Sequence, residues 1–392
     1  MKINLIVNSF PSASETFLFN LVTGLESRGH KVRVCALTRS KHMHLYVNKQ
    51  HEWSGNLLVL SYYTIFRLIP GFNIIKVVNN CRRFGCITGL KYYVYQHFAA
   101  HGNPDLIHFA YSGIGITFLP VLDALKDKNI KLVVSCRGSA EKVKPIVEST
   151  RKDDLRQLFV KCDLIHCVSE DMILGLIQFG LDRNKAFVNY PSVNTEYFKR
   201  CKPYEINNDI AMHLVTTGRL HFQKGYVFAL LAIKNVIDKG YNLKYTIIGE
   251  GADYSMLKYL IQELNLSSYV ILTGKIGSDE VKNRLEDADI FILPSLYEGI
   301  ANSALEAMSM QIPVISTKSG GMAEVIVNWE NGIIVQRFDS LAIAESIIKL
   351  IEYPELRLKI SNASRKIIVE KFNLKKQLDC YESTYMSRFY SF

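Results

Sequence analysis

The 392-residue chain lacks several features that would assign it a class at once. No apolar run approaches the roughly 18 residues that cross a bilayer; the nearest candidate, Leu57 to Phe66, gives way to Arg67 and Pro70 and reads as buried or interfacial. The opening apolar run, Ile3 to Val7, is too short for a signal peptide before Asn8, Ser9 and Pro11 interrupt it, so the expectation is a cytoplasmic protein. Eight cysteines are scattered without a C-x-x-C pair, which excludes a disulfide scaffold and predicts free, mostly buried thiols. No G-x-G-x-x-G follows the first predicted strand, which counts against a dehydrogenase. Zinc-finger, RNP and helix-turn-helix patterns are missing, so a nucleic-acid partner is not expected. Internal repeats and low-complexity tracts are missing too.

Acid is scarce in one place. Between Arg28 and His101 stand 11 Lys+Arg and a single acid, Glu52. Residues 1–200 carry 26 Lys+Arg and 15 Asp+Glu, against 21 and 22 in the remainder, so the formal charge of +10 belongs to the N-terminal half. Tyr62, Tyr63, Phe66, Phe72, Tyr92, Tyr93 and Tyr95 are interleaved with the cations, a pattern suited to peripheral contact with an anionic membrane.

What is present is a globular composition, 48% apolar and 21% charged, sufficient for two domains. Short β-branched runs alternate with amphipathic stretches, the pattern of α/β domains with doubly wound parallel sheets. Strands are predicted at 3–7, 32–37, 57–60, 106–109, 131–135 and 164–168, then at 213–217, 244–248, 270–273, 289–293, 313–316 and 332–335. Periodicity fails around Asn189 to Asp209, giving an N-terminal domain over 1–190, a linker over 191–212 and a C-terminal domain over 213–374. A last helix over 375–392 is expected to pack back toward the N-terminal domain.

In open α/β sheets, ligands bind beyond the carboxyl ends of the strands. After the strand at 213–217 comes Gly218-Arg219-Leu220-His221-Phe222-Gln223-Lys224-Gly225, which sets two cations beside a helix start and suits a diphosphate. After the strand at 289–293, Glu298 lies in a loop, Asn302 or Ser303 is placed to cap the next helix, and Glu306 lies early in it. Both carboxylates suit a polyhydroxylated ligand, because they accept hydrogen bonds from hydroxyls. Gly320-Gly321 follows the strand at 313–316, and Glu250 and Lys275 sit in neighbouring strand-end loops. Asp287-Ala288-Asp289 imitates a metal motif but falls at the start of a strand, the wrong end, and no metal site is expected.

The run from Gly218 to Gly225, the Glu298 to Glu306 spacing, Pro313-Val314-Ile315-Ser316 and Gly320-Gly321 through Glu324 resemble the retaining GT-B glycosyltransferases of family 4. Phe10 to Phe17, followed by Gly29-His30-Lys31-Val32, looks like the branch that builds bacterial exopolysaccharides. The resemblance implies two Rossmann-like domains facing a central cleft, with no cofactor or metal beyond the donor. It also implies transfer of a sugar from a UDP- or GDP-sugar to a glycan or lipid-linked acceptor. By the same resemblance Arg219 and Lys224 neutralise the diphosphate, Glu298 holds the donor sugar, Glu306 holds the ribose, and Glu250, Lys275 and Ile276 lie near the base. Gly299, Ile300, Ala301, Asn302 and Ser303 complete the donor loop. Ser14, Glu15, Thr16 and His108 are the acceptor-side candidates, although Glu15 equally suits a helix dipole and His108, at the end of a strand, equally reads as a satisfied core histidine. Cys136-Arg137-Gly138-Ser139 sets Arg137 where many family members carry a histidine, so a catalytic histidine is not carried over and Arg137 becomes the candidate in its place. A GT-B-fold epimerase and a non-catalytic sugar-nucleotide binder are the alternatives.

Overall fold

The computed structural model describes residues 1–11, 16–39, 56–60, 74–201, 204 and 211–390. The chain divides into two compact units, Met1–Asn189 with Leu378–Phe392, and Tyr190–Gln377.

The sheet of the first unit is built from β1 (Lys2–Phe10), β2 (Lys31–Arg39), β3 (Leu57–Val59), β4 (Leu106–Phe109), β5 (Lys131–Cys136), β6 (Leu164–Cys167) and β7 (Ala186–Val188). All pairs are parallel, in the order β3-β2-β1-β4-β5-β6-β7. The short edge strand β7 escapes the sequence pattern because three residues carry too little periodicity, and the charged Arg183-Asn184-Lys185 turn directly precedes them. Successive strand residues point to opposite faces. Ile107, Phe109, Leu132, Val134, Ile165 and Cys167 therefore enter one large apolar cluster, whereas His108, Ser135 and His166 point to the other side. Helices of this unit include α1 (Thr16–Ser27), α2 (Ile74–Phe84), α3 (Cys86–Ala99) and α4 (Arg151–Lys161).

The second unit carries β8 (Met212–Thr217), β9 (Leu243–Ile248), β10 (Val270–Gly274), β11 (Ile290–Leu293), β12 (Val314–Thr317) and β13 (Ile333–Val335), again all parallel, ordered β10-β9-β8-β11-β12-β13. Its helices include α5 (Tyr226–Asp238), α6 (Asn302–Ser309), α7 (Ser340–Glu352) and α8 (Pro354–Lys371). Alternation along the strands fills two cores. Leu214, Ile290 and Ile292 enter one with Leu230 of α5 and Ile347 of α7, while Val215, Phe291 and Leu293 enter the other with Leu305 of α6 and Ile368 of α8. The sheet is thus covered on both faces, and its strands read as continuous apolar runs for that reason.

The described part of the expected linker, with Tyr190 just before it, packs onto the second unit. Tyr190 lies 5.3 Å from the Phe372 ring, the Val193 amide donates to the Phe372 carbonyl at 2.9 Å, and the Arg200 guanidinium donates to the carbonyls of Ala288 and Met310 at 2.7 and 2.8 Å. The final helix, α9 (Leu374–Phe389), belongs to the first unit from Leu378 onward.

Four of the eight thiols are buried, Cys35, Cys136, Cys162 and Cys167, while Cys86 and Cys201 are exposed. Burial pushes the Cys35 and Cys162 thiols up to about 12, so these remain protonated and inert.

Candidate active site

Strand order reverses in the second unit between β8 and β11, so their carboxyl ends leave a crevice at the topological switch point. The two loops that leave those ends carry the candidate residues, and backbone contacts stitch them together. The Leu296 amide donates to the Gln223 carbonyl at 2.7 Å, and Gly321 does so to Gly299 at 2.7 Å. Leu220 donates to Glu250 at 2.9 Å, and Gly249 to Gly274 at 3.0 Å. Gly225 is one of the close joints between these loops. Its φ of +63° is left-handed, and a Cβ there would stand 2.1 Å from the Pro294 carbonyl oxygen, so only glycine lets the first loop touch the second.

On this scaffold Lys224 Nζ donates to Glu298 Oε1 at 2.6 Å, and Ser295 Oγ donates to the same oxygen at 2.8 Å. Residues 74 positions apart are thereby fixed as one cation–carboxylate pair, each partner still partly exposed. Oε2 of Glu298 has no hydrogen bond among the described residues. Arg219 is exposed and makes no ion pair among the described residues. Lys275 and Glu250 form a second, exposed pair at 3.2 Å, and Ile276 packs partly against the second core.

Helix α6 departs from expectation at its start. Its cap is Ala301, without a side-chain hydrogen bond, and Asn302 and Ser303 lie inside the first turn. A capping side chain would have occupied first-turn amides, whereas an uncapped start leaves them for an anion. Ile300 and Ala301 turn into the core, and Gly299 is buried, so these residues offer a ligand backbone only. Glu306 keeps some exposure but lies deep enough that desolvation alone pushes its carboxyl up to about 7. Sequence reasoning missed Ser295, whose hydroxyl fixes Glu298; its place two residues after β11 is the signal that marks it.

In the first unit the Cys136–Ser139 loop is pinned by a buried carboxylate. Glu141 Oε2 accepts from the Arg137 and Gly138 amides at 3.2 and 2.8 Å, and its other oxygen accepts from Ser112, which is also held by Arg151 of α4 at 3.0 Å. Desolvation raises the Glu141 pKa against the lowering effect of these donors. A Glu three residues after a helix cap is half a capping box, and that spacing was the available signal. The Arg137 guanidinium lies 4.4 Å from the Phe17 ring centre and donates to the Ala110 carbonyl at 3.3 Å and to Tyr381 Oη at 3.4 Å.

His108 is not an acceptor-facing residue. It is 2% exposed, and its two ring nitrogens are taken by Ser135 at 2.7 Å and Tyr385 at 2.9 Å. Burial, reinforced by the Arg137 charge, pushes its pKa down to about 3. Ser135 also contacts His166, which meets Tyr381 at 3.0 Å. Alternation aims both histidines at the face that α9 covers, so they form a satisfied core network. Ser14 and Glu15 lie outside the described residues, as does the side chain of Thr16, which opens α1.

Two family models match the chain: Glycosyltransferase Family 4 over residues 14–197 and Glycosyl transferases group 1 over residues 208–367. The chain belongs to this glycosyltransferase family. Over its length it is 26% identical to the amylovoran biosynthesis glycosyltransferase AmsK of Erwinia amylovora, covering 95% of this chain and 96% of that one. It is 27% identical to WcaL of Salmonella typhimurium, named for colanic acid biosynthesis, with the same coverage. Among solved structures, Anabaena HepE in complex with UDP-glucose superposes with a TM-score of 0.77 over 99% of this chain and all of the other, at 19% identity, and TarM with 0.79 over 100% and 99%, at 13%. These similarities identify the fold of the glycosyltransferase as GT-B, with the two parallel sheets described above. No described helix is long and apolar enough to cross a membrane.

Proposed function

We propose that this glycosyltransferase moves a sugar, with retention of anomeric configuration, from a nucleoside-diphosphate sugar held by the second unit to an acceptor in the assembly of a bacterial surface polysaccharide. The observation that carries the reading is the Lys224–Glu298 pair, fixed at 2.6 Å where β8 and β11 part. In this reading Lys224 and Arg219 face the diphosphate, and the first-turn amides of α6 add fixed partial charge. Charge that develops on the leaving nucleoside diphosphate then meets donors already in place, with no metal and no protein base. Glu298, oriented by Ser295, accepts from a sugar hydroxyl. Arg137 is the candidate that meets an anion on the acceptor side, and the donor phosphate takes the acceptor proton.

The uridine donor is favoured among the UDP- and GDP-sugars because HepE, of the same fold, is seen in complex with UDP-glucose. The polysaccharide role is supported by the amylovoran and colanic acid relatives and by the capsular polysaccharide glycosyltransferase CapM of Staphylococcus aureus, which is 31% identical over 213 residues. The test is release of nucleoside diphosphate from a panel of UDP-, GDP-, ADP- and dTDP-sugars with a lipid-linked glycan acceptor, in EDTA. Turnover with one donor class, undiminished by the chelator, is the expected result. Tight donor binding without release in the presence of any acceptor would instead make the protein a sensor.

A further inference from the structure

Outside the donor loops, the α2–α3 hairpin presents an exposed surface of its own. The helices cross where Gly89 meets the backbone of Asn80 and Cys81, too closely for a side chain, and the Phe84 and Tyr92 rings pack edge to face at 4.9 Å. The aromatic residues expected at a surface turn inward here: Tyr93 is fully buried, and Tyr92 and Tyr95 are half-buried against the main core. Tyr62, Tyr63, Phe66 and Phe72 lie outside the described residues. Aliphatic side chains are exposed in their place. Ile87 is 89% exposed at the apex, with Leu90 and Val78 at 43% and 40%. Arg82, Arg83 and Lys91 are exposed on the same two helices, and no acid occurs anywhere between Glu52 and Asp105.

Apolar side chains standing in water beside uncompensated cations fit one kind of surface. A nucleic acid would give Ile87, Leu90 and Val78 no groove to fill, and a second copy of the same face would meet its own charge. A lipid surface with anionic headgroups takes both, the aliphatic groups into the acyl boundary and the cations against the headgroups. We propose that the α2–α3 apex docks on the anionic leaflet of a membrane, seating Ile87, Leu90 and Val78 among the lipids. This contact is independent of donor binding.

The test is cosedimentation of the full chain with vesicles of phosphatidylcholine and phosphatidylglycerol in equal parts, and with phosphatidylcholine alone, at low and high salt. Binding is expected to the mixed vesicles at low salt and to be lost at high salt or without the anionic lipid. Arg82→Glu with Arg83→Glu is expected to weaken it at least about tenfold, since each nearby cation contributes on the order of a kcal/mol. Ile87→Glu with Leu90→Glu is expected to weaken it comparably. Leu174→Glu, at another exposed aliphatic site of the same unit, is expected to leave it unchanged. Absence of binding at low salt overturns the proposal, as does binding indifferent to both hairpin pairs. A change in oligomeric state in those variants also overturns it, by assigning the apex to a second copy. Nucleotide-sugar binding, measured separately, is expected to be the same in every variant.

Discussion

Glu298 and Lys224 are the residues on which the donor reading depends most directly. Glu298→Gln keeps the shape but removes the charge paired with Lys224, and Lys224→Ala removes the cation from the leaving phosphate. Each is expected to lower turnover at least roughly a hundredfold, the order found when one oxyanion-type contact is lost. Initial rates at saturating donor check this, and unchanged rates in both variants would remove the site assignment. Glu306 gives a second residue-level prediction. Its carboxyl holds a proton up to about 7, whereas an ordinary glutamate releases it near 4.5, so the folded chain binds the extra proton between these values and stability falls as pH rises through that window. Ribose hydroxyls donating to Glu306 would favour its ionised form. Donor binding near pH 6.5 is therefore expected to release a proton and to tighten as pH rises through about 7. Calorimetry in two buffers of different ionisation heat measures the release, which Glu306→Gln should abolish. Zero release in the native protein would separate Glu306 from the ligand.

At the scale of elements, the donor site depends on the joint between the loop before α5 and the loop before α6. Gly225→Ala is strained twice, by a left-handed φ worth about 1–2 kcal/mol and by a Cβ aimed at the Pro294 carbonyl. Gly240 also has a positive φ, +88°, but no atom within 4 Å of an added Cβ. Both alanine variants are expected to lower Tm, with donor affinity falling only for Gly225→Ala. Equal affinity in the two would mean that the joint does not shape the site. Much of this geometry was legible in the sequence, because a buried parallel strand reads as an apolar run and the functional loop must follow it. The Lys224–Glu298 bond was not. Its partners become neighbours only because β11 pairs with β8 across a sheet whose order no single loop encodes. The α6 cap was misjudged for a related reason: Asn302 and Ser303 have capping chemistry, but the chain is already helical at Asn302, which leaves the cap position to the extended Ala301.

At the scale of the whole molecule, the first unit is completed by a helix that follows the second unit in the chain. Tyr381 and Tyr385 are buried against His108 and His166 and supply their hydrogen-bond partners. This explains why the sequence alone does not decide between an acceptor-side and a core position for His108. Strand alternation gives the direction of its side chain, but what covers that face lies 277 residues away, on α9. Tyr385→Ala is expected to cost about 3–5 kcal/mol, as for other large buried rings, and chemical denaturation should show the loss in the transition of the first unit. Tyr385→Phe keeps the ring and removes only the partner of His108, so it is expected to cost less, about 1–3 kcal/mol. Equal losses in the two variants would mean that packing by the ring contributes nothing. Order of synthesis gives the same helix a further consequence. Residues 1–189 emerge first from the ribosome, yet the histidine face of their sheet stays open until α9 has been translated, after the entire second unit. The half of the molecule made first is therefore the half that closes last, and a fragment ending at Asn189 would leave both histidines to water.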